Sequence, residues 1–205
     1  MRIFCLSDVH ADVSAARRLG AATLTGGIDL ILSAGDLGLD GVNDRAVYEA
    51  IGENSVPVLS VPGNHDGDAA YDALVAGLGW TDLHGRVVER DGVWFAGFGL
   101  RTWTNDLSHP EAAPTDPELA GLLERLEAIP RERLVLVTHL PPFGTLSARD
   151  RKFVDRGSVQ LADWIRERQP AACVCGHVHH REPVTEKLGE TIVVNAGPHG
   201  WVLRL

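Results

Sequence analysis

Five short apolar runs constrain this chain more than any other feature. Ile3 to Leu6, Asp29 to Ser33 ("DLILS"), Pro57 to Val61 ("PVLSV"), Arg133 to Thr138 ("RLVLVT") and Ala172 to Cys175 are each four to six residues long, and a polar loop follows each. Unbroken Val, Ile and Leu without polar alternation suits strands covered on both faces. Helical patterns occupy Val13 to Leu24, Asn43 to Gly52, Ala69 to Leu78, Asp116 to Ala128 and Ser158 to Gln169. Ser158 is placed to cap its helix, and Pro130 and Pro170 stop the helices before them. Two stretches depart from the βα alternation. "HGRVVERDGVWFAGFG", His84 to Gly99, reads as a hairpin turning at Asp91-Gly92, and "VTEKLGETIVVNAG" as another turning at Leu188-Gly189. Parallel units with antiparallel edges predict mixed sheets packed between helices. At 205 residues, one domain spanning 1–205 is expected.

Composition narrows the function classes. The formal charge of -9 argues against general binding to a nucleic-acid backbone. No run approaches the roughly 20 apolar residues that cross a bilayer, so no membrane partner is expected. The opening Met1-Arg2-Ile3-Phe4-Cys5-Leu6 reaches Ser7-Asp8 too soon for a secretion signal and reads as a first strand. Cys5, Cys173 and Cys175 cannot all pair, and the last two lie too close for a structural disulfide. A reducing, cytoplasmic setting is the expectation.

The residues after the strands carry the chemistry. Asp8-Val9-His10, Gly35-Asp36, Gly63-Asn64-His65-Asp66, His139 and Gly176-His177-Val178-His179 follow five successive runs. In α/β sheets, ligands bind beyond the carboxyl ends of the strands. Taken singly, each motif has a plain reading: Gly35-Asp36 and Asn64-His65-Asp66-Gly67 are turn formers, and His139 a core histidine. The stretch "VCGHVHH", Val174 to His180, also admits a thiolate zinc site with Cys173 and Cys175. Together, carboxylates and imidazoles gathered at one edge would repel and lose hydration unless cations joined them. Seven oxygen and nitrogen donors exceed one tetrahedral site but suit two ions sharing a carboxylate, roughly 3.5–4 Å apart.

In order and spacing, these elements resemble the calcineurin-like metallophosphoesterase superfamily, whose pattern is D-x-H, G-D, G-N-H-[DE], H and G-H-x-H. "GNHD", "THLPP", "CGHVH" and the ending "VVNAGP" are similar to its small bacterial and archaeal Icc-related phosphoesterases. The resemblance implies a four-layer αββα sandwich of two mixed β-sheets flanked by helices. It implies one ion on Asp8, His10 and His179, a second on Asn64, His139 and His177, and Asp36 between them. Asn64 and His65 would contact the phosphate, His65 would protonate the leaving oxygen, and Asp66 would support that loop. The implied cofactors are two divalent ions, Mn2+ first, with Fe, Zn, Co or Ni admitted by the donor set. The implied reaction is phosphodiester hydrolysis by attack of a metal-bridging hydroxide, on small phosphate esters such as cyclic or small nucleotides. A phosphomonoesterase or nucleotidase is the alternative, with a nuclease or a non-catalytic interaction module behind it.

One departure separates the chain from protein-serine/threonine phosphatases, which carry G-D-x-x-D-R-G. Here "GDLGLDG" places Leu39 at the second Asp position, Asp40 one residue late, and no Arg. Substrate selection is expected from two long loops, 101–117 with Arg101, Trp103 and Asn105, and 141–157 with Phe143, Arg149, Arg151 and Lys152. His84, His109, His180 and His199 read as surface histidines, and Asn195 and His199 sit in a glycine-rich turn near the end.

Overall fold

The computed structural model describes residues 1–42, 44–53, 55–100 and 116–205. Its elements run β1 (Arg2–Leu6), α1 (Val13–Thr25), β2 (Leu30–Ser33), α2 (Asp44–Gly52), β3 (Val58–Ser60), α3 (Asp68–Gly77), β4 (Thr81–Asp82), β5 (Val87–Arg90), β6 (Val93–Phe98), α4 (Pro117–Arg125), β7 (Leu134–Thr138), α5 (Val159–Arg168), β8 (Ala172–Cys175), β9 (Val184–Leu188), β10 (Thr191–Asn195) and β11 (Trp201–Arg204). One sheet has the order β11-β1-β2-β3-β4 and the other β5-β6-β7-β8-β10-β9. Strands β1 to β4 run parallel, as do β6, β7, β8 and β10, with β11, β5 and β9 antiparallel at the edges.

Successive side chains of a strand point to opposite faces, and both faces here are apolar. Phe4 and Leu6 of β1 pack with Leu19 of α1, Val47 and Ile51 of α2 and Tyr71 of α3. Ile3 and Cys5 face the other way, into a layer shared with Phe95, Val135, Val137 and Val174 of the second sheet. Leu134, Leu136, Cys173 and Cys175 then meet Leu122 of α4 and Leu161 and Ile165 of α5. Three apolar layers between four structural layers make the αββα sandwich. The unbroken apolar runs are what a strand buried on both sides requires.

Local chemistry sets the element ends. Asp12, Asp116 and Ser158 cap α1, α4 and α5 by accepting from backbone N–H groups of the first turn. The β5–β6 hairpin turns at Asp91 and Gly92, both at positive φ, as a two-residue turn demands. The second hairpin turns one residue later than its sequence suggests. Leu188 pairs with Thr191, so the turn residues are Gly189 and Glu190. Residues 126–128 tighten into a 3-10 turn after α4. Strands β4 and β11 have no counterpart in the sequence reading, being two and four residues long. The expected 101–117 loop, with Arg101, Trp103, Asn105 and His109, lies outside the described residues for all but its last two positions.

The five motif-bearing strands do not share one sheet. β1, β2 and β3 belong to the first sheet, β7 and β8 to the second. Their carboxyl ends meet at one rim of the sandwich, and the polar cluster straddles both sheets.

Candidate metal centre

Four of the residues singled out above occupy left-handed backbone, which non-glycine residues rarely adopt: Asp8 (φ 53°), His10 (φ 47°), Asp36 (φ 55°) and His177 (φ 68°). Backbone hydrogen bonds hold them there. Asp8 N–H donates to the Gly35 carbonyl at 2.9 Å and His10 N–H to that of Asp36 at 3.0 Å. The sharp turns reverse each strand end so that its side chain faces the neighbouring strand's. Two glycines make room for them. A Cβ on Gly63 would collide with the Asp36 carboxylate, and one on Gly176 would lie 2.7 Å from Asp8 Oδ2.

Donor atoms then converge in two groups. In the first, His10 Nε2 and His179 Nε2 lie 2.9 Å apart, and Asp8 Oδ1 is 3.9 Å from His10 and 3.6 Å from His179. In the second, Asn64 Oδ1 is 3.1 Å from both His139 Nε2 and His177 Nδ1. Asp36 Oδ2 stands between them, 3.8 Å from His10 Nε2 and 3.5 Å from His139 Nε2. Asp8, His10 and His179, and likewise Asp8, Asp36 and His139, have ligand atoms close enough for one ion.

The orientation of these donors fits cations. His139 Nδ1 donates to the Ala34 carbonyl at 2.7 Å, which turns Nε2 toward Asp36 and Asn64. Two imidazole nitrogens facing each other across 2.9 Å can share one proton at best, whereas a metal accepts both lone pairs. The electrostatics agree. Burial opposes charge on His139, but the hydrogen-bonded Asp36 carboxylate overrides it and holds the imidazole above its ordinary value. Burial would likewise raise Asp36, and His139 reverses the sign and holds it low. Burial, then the charge of His139, pushes His177 down to about 4. Without metal, a proton on His139 is the local substitute for a cation.

Two supporting carboxylates complete the site. Asp66 accepts from the backbone N–H of Asp36, Gly63 and Gly38 at 2.7, 2.8 and 2.8 Å and from the Tyr48 hydroxyl at 3.1 Å. It therefore supports the loops and does not point at the cluster. Burial and the nearby Asp36 raise it to about 6 against the pull of those amides. Asp40, one residue late against G-D-x-x-D-R-G, stands beside His65. Asp40 Oδ2 lies 3.3 Å from His65 Nδ1, and its N–H donates to the His65 carbonyl at 2.8 Å. Left-handed Asp40 and Gly41 absorb the extra residue of "GDLGLDG". A carboxylate two to five residues after a strand-end Gly-Asp, opposite a Gly-Asn-His turn, is the signal that would have found it.

The remaining expectations sort plainly. His84 is half buried rather than on the surface, accepting from Gly99 N–H at 3.0 Å and stacking on Phe98. His180 is also half buried and reaches the Ser147 carbonyl, while His199 is exposed. Asn195 approaches the centre only as a support, its amide donating to the Val178 carbonyl at 2.9 Å. Cys5, Cys173 and Cys175 are free and buried within strands. Burial pushes the Cys5 and Cys173 thiols up to about 12 and raises Cys175 as well, which disfavours thiolate ligands.

Comparison with known proteins gives the same class. Residues 30–200 match the metallophosphoesterase family of the calcineurin superfamily, and the chain belongs to that family. It is 26% identical over 209 residues to the uncharacterized protein MJ1162 of Methanocaldococcus jannaschii, covering 98% of this chain and 90% of that one. Its fold is similar to TT1561 of Thermus thermophilus, with a TM-score of 0.73 and 20% identity over 96% of this chain and 88% of that one. A dimetal phosphatase from Danio rerio superposes with a TM-score of 0.67 and 17% identity, covering 97% and 88%. Membership implies divalent metal ions and small phosphate-ester substrates. Among the described residues, no helix is long and apolar enough to cross a membrane.

Proposed function

We propose that the protein is a dinuclear-metal-dependent phosphohydrolase acting on phosphodiesters. The convergence of six donor residues, three on either side of Asp36 Oδ2, carries this reading. Asp8, His10 and His179 would hold one ion, Asn64, His139 and His177 the other, and Asp36 both. When bound, the ions supply Lewis acidity that neutralises phosphate charge and brings water's ionisation toward neutral pH. Carboxylate and amide oxygens suit a hard ion while imidazole admits softer ones, and Mn2+ is our first assignment.

The chain's own residues do the rest. Asp40 Oδ2, 3.3 Å from Nδ1, orients the His65 ring, and we assign Nε2 the role toward substrate. That nitrogen contacts the phosphate and delivers a proton to the departing oxygen, the general-acid role imidazole performs near neutral pH. His65 N–H donates to Asp36 Oδ1 at 2.8 Å, fixing the loop that carries both groups. Asn64 presents its amide to the same substrate edge. Cyclic and small nucleotides are the first candidates. The apolar layer common to both sheets supports reading the chain as one domain, and three free cysteines suit the reducing cytoplasm.

Hydrolysis of bis-p-nitrophenyl phosphate, assayed with Mn2+ and with EDTA, tests the proposal. Activity that requires metal and collapses in Asp36→Ala is expected. Failure to hydrolyse any phosphate ester with any divalent ion would sink it, and hydrolysis confined to monoesters would move it to the phosphomonoesterase alternative.

A further inference from the structure

The chain carries a formal charge of -9, yet three arginines line one cavity beside the metal centre. The cavity, about 460 Å3, is bounded by Arg149, Asp150, Arg151, His179, His180 and Arg181. His179 also belongs to the donor group with Asp8 and His10, so the cavity borders the centre through that side chain.

The three arginines are solvent-exposed, as a ligand needs them to be. Arg45, Arg156, Arg166 and Arg168 each pair with a carboxylate. Among the described residues, no carboxylate pairs with Arg149, Arg151 or Arg181. Asp150 shares the cavity wall, but its carboxylate turns back into its own loop. It accepts from Lys152 N–H at 2.8 Å, Val154 N–H at 3.0 Å and the Arg156 guanidinium at 3.1 Å.

Two of them, Arg149 and Arg151, also sit on a fixed frame. Glu186 of β9 accepts from Leu146 N–H at 2.9 Å and Ser147 N–H at 2.8 Å. Asp155 ties Gly144 N–H to Gly157 N–H at 2.8 and 2.9 Å. A loop braced at both ends presents its cations in a set place, which reduces the ordering cost of binding. Guanidinium matches phosphate oxygens in paired, charge-assisted hydrogen bonds.

We propose that this cavity seats a second phosphate attached to the scissile one, so that the substrate is a pyrophosphate-linked ester. This rests on the reading of the metal centre given above. In the reaction, the oxygen of water bonds to the phosphorus at the centre. The bond from that phosphorus to the anhydride oxygen breaks, and its electron pair leaves with that oxygen on the arginine-held phosphate. One molecule of water is consumed, its two protons pass to the product phosphates or to solvent, and two phosphomonoesters form without oxidant or further co-reactant.

Calorimetric binding to the Mn2+-loaded protein tests the assignment, with AMP and methylene-bridged ADP as probes. The methylene bridge prevents cleavage between the two phosphates. Methylene-bridged ADP is expected to bind the wild type more tightly than AMP by about tenfold or more. In the double variant Arg149→Gln/Arg181→Gln, that ratio falls to near one. A wild-type ratio near one, or a ratio unchanged in the variant, overturns the proposal. Each ratio is taken on a single preparation, so a partly misfolded variant does not distort it. Wild-type hydrolysis of bis-p-nitrophenyl phosphate reports separately on the metal centre. If hydrolysis fails while the arginine-dependent ratio persists, the catalytic reading falls and the cavity assignment stands. If hydrolysis proceeds and the ratio ignores the arginines, the reverse holds.

Discussion

The two halves of the metal centre are built differently. On one side His139 is fully buried, with a side-chain exposure of 0%, its ring pinned to the Ala34 carbonyl and its neighbour Asn64 shared with His177. On the other, the His10 and His179 side chains are 21% and 55% exposed. His65 packs edge-on against His10, with ring centroids 5.3 Å apart, and so belongs to the open half. The arginine-lined cavity begins there too. On the proposed reading, the buried half would fix an ion in the scaffold, the open half would meet substrate, and Asp36 Oδ2, 3.8 Å from His10 and 3.5 Å from His139, would serve both.

The comparison can be broken at several points. Asp36→Ala strikes both halves and should lower kcat/KM by about a thousandfold or more, since metal charge stabilisation is worth several kcal/mol. Elemental analysis should show depleted metal, and full retention of both activity and metal would refute the shared role. Asp40→Asn touches only the open half. We expect kcat to fall by about 10- to 100-fold, the usual effect of losing an orienting partner, with metal content and Tm unchanged. Asp40→Glu should recover part of the loss, and an unchanged kcat in Asp40→Asn would make Asp40 merely structural.

Stability separates the halves next. His139→Ala leaves Asp36 without its buried partner and orphans the Ala34 carbonyl, so the metal-free protein should lose about 3 kcal/mol. His179→Ala, at an exposed position, should cost within about 1 kcal/mol. Urea unfolding in EDTA measures both, and equal losses would erase the distinction.

The smallest effect is in pH dependence. The raised His139 contributes stability to the metal-free protein that is fully present below imidazole's unfolded value, about 6.5, and is lost as pH climbs through the higher folded value. The depressed Asp36 contributes above about 4 and loses that contribution as pH falls through its lower folded value. Metal replaces the proton on His139, so the gain in Tm on adding Mn2+ should grow from about pH 6 toward about pH 9. A flat or falling gain would show that this proton is not what the metal displaces.

Much of this was legible in the sequence, for physical reasons that differ by region. The doubly buried strands announce themselves because β1, β2, β7 and β8 have no polar face to interrupt their apolar runs. The donor residues stand out because turns that place Asp, Asn and His after strands leave a fixed spacing. The distribution of those strands over two sheets was not legible. Strand order depends on contacts between segments distant in the chain, as between β1 and β11 at its two ends. β11 itself is an edge strand with Trp201 and Arg204 exposed, so no doubly buried run marks it. Asp40 was missed because spacing counts residues, whereas the chain counts distance, and two left-handed residues reconcile the two. The arginine cavity was hinted at by Arg149 and Arg151 in one loop, but Arg181 joins from another segment.

The three cysteines, which hold no metal in this reading, have a practical use. All are at 0% exposure in the sandwich, two of them flanking Val174 just before the donor turn at Gly176. A native molecule should therefore resist alkylating reagents until a strand opens, because neither access nor thiolate is available. Mass spectrometry of alkylated protein then becomes a clock for opening, with Cys5 timing one sheet and Cys173 and Cys175 the other. A molecule that breathes at its reactive rim should label Cys175 before Cys5.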